Sequence, residues 1–294
     1  MQLRELLKGT IQSFAAQGIE SAKLDAKLLM MHVTGLSFTM LTVYDDKELT
    51  DEQVAAFKDL VAKREEGHPI AHLIGERDFW SLTLKVTKDT LIPRPDTEVL
   101  VEKALSLIDE HQLKSVIDLG TGTGAIILSL KKERPLLDAY AVDFSAAALE
   151  VAKENARLND LSVTFMLGSW FEALKSDKVA FEDTAFDLCQ SFDLIVSNPP
   201  YIEENDPHLS AGDVRFEPLS ALVSGKDGLD DIRLIASEAR EHLNKGGFLL
   251  FEHGYNQAAA VQKIMTDLGY SEVSSAKDYG GNDRITFGKW VSKD

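Results

Sequence analysis

The chain has 294 residues, of which 44% are hydrophobic and 27% charged, a composition that suits one large or two ordinary globular domains and excludes a disordered chain. Its 48 acidic residues against 31 Lys and Arg give a formal charge of −17, which speaks against binding by phosphate neutralisation and suits a small-molecule substrate or a protein with a basic face. No apolar run reaches bilayer length, Met1–Lys8 lacks a signal-peptide core, and the one cysteine, Cys189, closes no internal disulfide, so a cytoplasmic monomer away from membranes is expected.

Residues 1–75 read as a small helical bundle. Leu3, Leu6, Leu7 and Ile11 recur at helical spacing. Ser21 is placed to cap a second helix carrying Leu24, Leu28 and Leu29, which Gly35 ends. Thr50-Asp51-Glu52-Gln53 has capping-box spacing ahead of Val54, Phe57, Leu60 and Val61. Residues 76–92 read as a β-hairpin linker: Asp78 to Val86 alternates in part, and Leu91-Ile92 follows a polar turn at Thr87 to Thr90. Pro93-Arg94-Pro95-Asp96-Thr97 then supplies a rigid lead-in and a cap for a helix through Val99, Leu100, Ala104 and Leu107.

Within 93–294 strands and helices alternate. Ser115–Leu119, Leu137–Val142, Val163–Leu167, Phe192–Ser197 and Phe248–Phe251 are short apolar runs. Helices are expected from near Gly124, Ser145, Asp227 and Gln257. Such alternation predicts a mostly parallel sheet covered on both faces. Glu272–Ala276 and Arg284–Phe287 lie too close for a crossover helix and should pair antiparallel at the end of the sheet. Seven strands of this kind make an α/β, Rossmann-like domain.

Two motifs carry chemistry. Asp118-Leu119-Gly120-Thr121-Gly122-Thr123-Gly124 sets a glycine turn between the first strand and its helix, where doubly wound sheets bind nucleotides. Asp143, at the end of the second strand, is placed to accept both ribose hydroxyls. A dinucleotide loop and a plain turn, with Asp143 only capping the next helix, both fit these residues. The preceding Asp118 and the G-x-G-x-G spacing favour the class I methyltransferase form. The second motif, Asn198-Pro199-Pro200-Tyr201, follows the fourth strand. The Asn198 side-chain carbonyl and the Pro199 main-chain carbonyl are two acceptors for one NH₂ group, and Tyr201 offers a ring to stack on its π-system. An amide or exocyclic amine held this way points its π-face at a methyl donor, and the contacts strengthen as charge builds on nitrogen.

The chain resembles the HemK/PrmC family of protein-(glutamine-N5) methyltransferases. The likeness rests on Gly75 to Trp80, Leu91 to Glu98, Asp118 to Gly124, Asp143, Asn198 to Ile202, Glu217-Pro218, Asp227 to Leu229, Glu252-His253-Gly254 and Asp283-Arg284. It implies a class I methyltransferase domain behind a helical domain that recognises the substrate. It implies that Gly120, Thr121, Gly122, Thr123, Gly124, Asp143 and Asn198 bind S-adenosyl-L-methionine, and that Trp170 aligns with a residue lining the adenine site. It implies that Asn198, Pro199, Pro200 and Tyr201 hold a glutamine from the Gly-Gly-Gln loop of class I peptide chain release factors, with no nucleic acid contacted directly. Trp170 reads equally as a core aromatic. Ser169 stands where many relatives carry an aspartate, and 176–191 reads as an acidic insertion. His68, His72, His208, His242 and His253 lack metal-ligand spacing, so no metal is expected. A DNA or RNA amino-methyltransferase, a nicotinamide-dependent oxidoreductase and a non-catalytic cofactor-binding adaptor are the alternatives.

Overall fold

A computed structural model describes residues 1–175, 191–210 and 212–291. The chain groups into two units, Met1–Glu76 with Ser210–Phe216, and Arg77–Leu209 with Glu217–Asp294. The first holds α1 (Leu3–Ala16), α2 (Ala22–Thr34), α3 (Met40–Val43), α4 (Asp51–Glu65) and α5 (Ile70–Ile74). Leu3, Leu7 and Phe14 of α1 meet Ala26, Leu29 and Met30 of α2 and Phe57 of α4 in one core. The capping box forms as its spacing predicts: Gln53 N–H donates to Thr50 Oγ1 and Thr50 N–H to Gln53 Oε1, both at 3.2 Å.

The buried face of α2 differs from the one the leucines suggest. Leu24 is 52% exposed, while Asp25 is buried. The reason is electrostatic: Asp25 accepts from Arg64 Nε at 2.8 Å, and a buried charge is tolerated only when so paired. Arg64 also reaches the His68 carbonyl at 3.0 Å and Asp213 at 3.3 Å, which ties the 212–216 segment into the helical unit. Ser21 precedes α2 but its hydroxyl makes no cap bond.

The second unit opens with β1 (Glu76–Phe79) and β2 (Leu82–Lys85). The hairpin turns at Trp80-Ser81, not at Thr87–Thr90, and Leu91-Ile92 forms no strand. Trp80 takes a left-handed φ of 55°, held by its N–H on Glu98 Oε1 at 2.8 Å and its ring N–H on Glu133 at 2.9 Å. Phe79, Leu82 and Leu84 are buried in the same core as the central strands.

A 3₁₀ turn (Pro95–Thr97) leads into α6 (Glu98–His111). There follow β3 (Ser115–Leu119), α7 (Ala125–Glu133), β4 (Asp138–Asp143), α8 (Ala146–Leu158), β5 (Thr164–Leu167) and β6 (Phe192–Ser197). The chain ends in α9 (Asp230–His242), β7 (Leu243–Glu252), α10 (Ala258–Asp267), β8 (Ser271–Lys277) and β9 (Asp283–Lys289). The sheet has seven strands in the order β5-β4-β3-β6-β7-β9-β8. Its first five pair in parallel, and β9 runs antiparallel to β7 and β8, as the short connection requires. Apart from Ser191, the 176–191 segment with Cys189 lies outside the described residues. Among the described residues no helix is long and apolar enough to cross a membrane.

Asn155 on α8 locks the hairpin to the sheet. Fully buried, it accepts from Lys85 N–H at 2.7 Å and donates to the carbonyls of Lys85 at 3.0 Å and Thr123 at 2.9 Å. Asn155→Ala leaves three backbone groups without this partner, one of them buried, so we expect a loss on the order of 2 kcal/mol in urea unfolding. A loss below about 1 kcal/mol would mean that water replaces the amide and that the lock is dispensable.

Candidate functional site

At the centre of the sheet, strand order reverses: β3 continues to β4 on one side and has β6 on the other. The crevice outside the carboxyl ends of such strands is where open α/β sheets take ligands. The glycine turn follows β3 and Asn198-Pro199-Pro200-Tyr201 follows β6. A cavity of about 380 Å³ lies there, lined by Gly120, Gly122, Asp143, Trp170, Asn198 and Pro200. These are six of the residues singled out from the sequence, drawn from both motifs.

The glycine turn is built from the backbone. Gly120 and Thr121 both donate their N–H to the Val142 carbonyl at 2.9 Å, bending the chain back over β4. Gly120 has φ 74°, and a β-carbon there would stand 3.2 Å from the Trp170 ring. Both facts require glycine at this position. The Asp143 carboxylate accepts Gly122 N–H at 2.8 Å on one oxygen and Ser145 N–H at 2.9 Å on the other. It therefore holds Ser145, the residue that caps α8, and also faces the cavity. Burial raises its pKa above the usual carboxylate range, and the main-chain N–H donors oppose that rise. Trp170 combines two roles as well: it packs against the core of Ile117, Leu119 and Val142 and forms a wall of the cavity. Ser169 lines the same wall.

The other residues singled out are not among those that line this cavity. Thr121 donates to Asp118 Oδ2 at 2.7 Å. Asp118 is fully buried, which pushes its carboxyl to about 7. Thr123 contributes the carbonyl that Asn155 holds, and Gly124 opens α7. Pro199 is buried. The Tyr201 hydroxyl donates to Glu252 Oε1 at 3.3 Å, its N–H reaches the Leu222 carbonyl at 3.2 Å, and its carbonyl accepts from Gln257 Nε2 at 3.0 Å. Burial beside Glu252 raises the Tyr201 phenol, so it is neutral and a donor. Gly228 permits this approach, for a β-carbon there would fall 2.2 Å from the Tyr201 carbonyl oxygen.

Several residues that hold the site were not assigned roles from the sequence. Glu217 accepts Ile92 N–H at 2.9 Å and pairs with Arg94, joining the segment before α6 to Pro218, Ser220 and Ala221, which line the cavity. Thr97, expected to cap α6, makes no cap bond. Its oxygen accepts Asn198 Nδ2 at 3.4 Å. Glu252 is 1% exposed, and burial lifts its carboxyl to about 7 against the pull of Thr97, Arg284 and Tyr201. Thr97, Glu217 and Glu252 all lie in short motifs visible in the sequence. Their partners lie from 51 to 125 positions away in the chain, and no local pattern identifies them. His253, by contrast, is a packed imidazole on the Gly254 carbonyl and Thr286, lowered in pKa by burial.

Comparison with known proteins agrees with this architecture. Residues 5–75 match the family described as the PrmC N-terminal domain, and residues 110–284 match a methyltransferase domain. The catalytic domain of hMettl16, solved with MAT2A 3′UTR hairpin 1, shares the fold with a TM-score of 0.54 at 14% identity, over 86% of this chain and 85% of that one. The release factor glutamine methyltransferase of Vibrio cholerae is 48% identical over 98% of this chain and 96% of its own length. That of Escherichia coli K12 is 44% identical over 99% of each. The chain is thus a methyltransferase and belongs to the release factor glutamine methyltransferase family.

Proposed function

We propose that this protein transfers a methyl group from S-adenosyl-L-methionine to the side-chain amide nitrogen of the glutamine in the Gly-Gly-Gln motif of class I peptide chain release factors. The observation that carries the reading is that the glycine turn and the Asn198–Tyr201 motif contribute to one cavity at the switch point of the sheet.

The cavity suits the methyl donor. Its volume falls within the range of small-molecule sites. Asp143 has one backbone donor on each oxygen, which leaves lone pairs for two ribose hydroxyls. Trp170 provides a flat wall for adenine, and the Ser169 hydroxyl stands where an acid is common. When bound, the donor supplies a methyl group already activated by its sulfonium. The protein then has to orient the acceptor. Asn198 Oδ1 and the Pro199 carbonyl accept the two N–H bonds of the glutamine amide, and the Tyr201 ring covers its planar face. As nitrogen takes the methyl group it gains positive charge, which both acceptors stabilise more than they do the resting amide. The methylated nitrogen is acidic and loses its proton without a strong base. The helical unit contains none of these residues and, in our reading, recognises the body of the release factor.

Calorimetry should detect S-adenosylmethionine binding and no NAD binding. Asp143→Ala should weaken the cofactor complex by about 1.5–3 kcal/mol through loss of a charged acceptor. Tight NAD binding without methyl-donor binding would overturn the assignment.

Asn198→Ala, measured at saturating cofactor, should lower the single-turnover rate on a release factor by on the order of a hundredfold, with circular dichroism unchanged. Asn198→Asp should retain partial activity at best, because it keeps an acceptor but brings a charge into the pocket. A folded, cofactor-saturated Asn198→Ala enzyme with wild-type rate would show that orientation by this side chain is not the mechanism.

The recognition role of the helical unit predicts different Michaelis constants for two substrates. A short peptide carrying the Gly-Gly-Gln loop should show a KM at least about tenfold above that of the whole release factor, equivalent to about 1.4 kcal/mol of binding outside the loop. Equal constants would confine recognition to the loop.

A further inference from the structure

A ring stacks on a planar amide only when its backbone aims it there. Tyr201 lies beyond β6, which ends at Ser197, so strand pairing does not set that aim. The peptide groups on either side of Tyr201 set it. Leu222 offers its carbonyl to Tyr201 N–H at 3.2 Å and to Ile202 N–H at 2.8 Å. The Tyr201 carbonyl accepts from Gln257 Nε2 at 3.0 Å. The peptide joining Tyr201 to Ile202 is therefore held from both edges, by Leu222 on its N–H and by Gln257 on its oxygen.

The Gln257 amide faces one way only. Its Oε1 accepts Gly254 N–H at 2.8 Å, and its own N–H returns a bond to the Gly254 carbonyl at 2.9 Å. A backbone N–H donates and a carbonyl accepts, so with the amide oxygen on Gly254 the NH₂ has to meet carbonyls. Those are Tyr201 at 3.0 Å and, more loosely, Asp227 and Gly228, both at 3.4 Å. Asp227 offers its carbonyl alone, since its carboxylate pairs with Arg233. One buried side chain thus joins the end of β7, the loop before α9 and the motif after β6.

Two independent features agree. Gln257 precedes α10 where a cap is expected, yet its side chain makes no cap bond and is spent on these partners. Glycines make room for it: a β-carbon at Gly228 would stand 2.8 Å from Gln257 Nε2, and one at Gly254 would stand 3.0 Å from Gln257 Oε1. Gly228 also has φ 72°, which favours glycine.

We propose that Gln257 is a positioning residue that sets the direction of the Tyr201 ring over the target amide by holding the Tyr201 carbonyl. This rests on the reading of the site as a glutamine methyltransferase. Gln257 is not among the residues lining the cavity, so it acts through Tyr201 and not on the methyl donor. Gln257→Leu keeps the bulk and removes both bonds. Gln257→Glu keeps the shape: as an acid it accepts from Gly254 and donates to Tyr201, and as a carboxylate it has no donor. Burial raises the pKa of such a carboxyl, so the donor is present at low pH and lost as pH rises.

The test is single-turnover methylation of a release factor at saturating S-adenosylmethionine, from about pH 6 to about pH 9. Each variant rate is divided by the wild-type rate at the same pH, so that groups common to both enzymes, Glu252 among them, cancel. Gln257→Leu should be slower by on the order of tenfold at every pH, with cofactor affinity and release-factor KM near wild type. The Gln257→Glu ratio should fall by on the order of tenfold as pH rises across that range. A side chain that only stabilised the fold would leave the rate of the folded enzyme unchanged in both. Tyr201-Ile202 is the one Tyr-Ile pair in the sequence, so ¹³C-carbonyl tyrosine with ¹⁵N-isoleucine labels this peptide alone for nuclear magnetic resonance. Its carbonyl signal should shift in Gln257→Leu, and in Gln257→Glu as pH rises. A wild-type rate in folded Gln257→Leu, a Gln257→Glu ratio that does not change with pH, or an unmoved carbonyl signal in Gln257→Leu overturns the proposal. Where Gln257→Leu does not fold, the nearly isosteric Gln257→Glu decides by both readouts. If the wild-type enzyme methylates no release factor, the functional reading falls, and the carbonyl signal still decides whether Gln257 holds Tyr201.

Discussion

The parallel pairing of β3 with β6 is the constraint from which the site follows. In their register Leu119 faces Ser197, and the Ser197 hydroxyl donates to the Leu119 carbonyl at 2.7 Å. The next residues on the two strands are Gly120 and Asn198. Two segments 78 positions apart thus leave the sheet side by side and at one level. Slipping either strand by one residue would carry its motif away from the other and move its side chains into the core on the opposite face. Ile117, Leu119, Ile195 and the neighbouring Val142 all lie in one core, so burial of apolar area defends the register that the chemistry needs.

Around that pair, the polar groups of the site are held by partners distant in sequence. Gln257 grips the Tyr201 carbonyl, Glu217 grips Ile92 and Arg94, and Asn155 grips Thr123. Each is a buried side chain bonded to backbone, an arrangement costly to break because the orphaned group has no water to turn to. The loops of the site thereby acquire the stiffness of the sheet. Such stiffness matters for a transfer whose donor is already activated and whose acceptor is a weak nucleophile, since geometry then makes up much of the catalysis.

Two buried carboxyls make the stability of the fold depend on pH. Asp118 and Glu252 are raised from ordinary values of 3.8 and 4.5 to about 7. Folding therefore favours their acid forms. Their contribution to stability is full below the ordinary values and is lost as pH rises through about 7. Arg284 opposes part of the rise at Glu252 by favouring the carboxylate.

Much of the architecture was legible in the residues themselves. Apolar runs of strand length, separated by helical periodicity, specify a parallel sheet because only a crossover helix returns the chain in the same direction. The capping box at Thr50 and the glycine turn at Gly120 were readable because their physics is local, confined to a few adjacent dihedrals and donors. The same local reading misplaced the hairpin turn, since Trp80 adopts its left-handed φ only with Glu98 and Glu133 to hold it. It also misjudged the face of α2, where Arg64 draws Asp25 inward in place of Leu24. The partner of Thr97 was hidden for a like reason, because a threonine at a helix start reads as a cap until Asn198 is brought beside it. The sequence by itself determined most of the elements and singled out the two motifs that meet at one cavity. The tertiary structure alone decided which polar groups meet, because hydrogen-bond partners across the sheet are chosen by strand register and no periodicity records them.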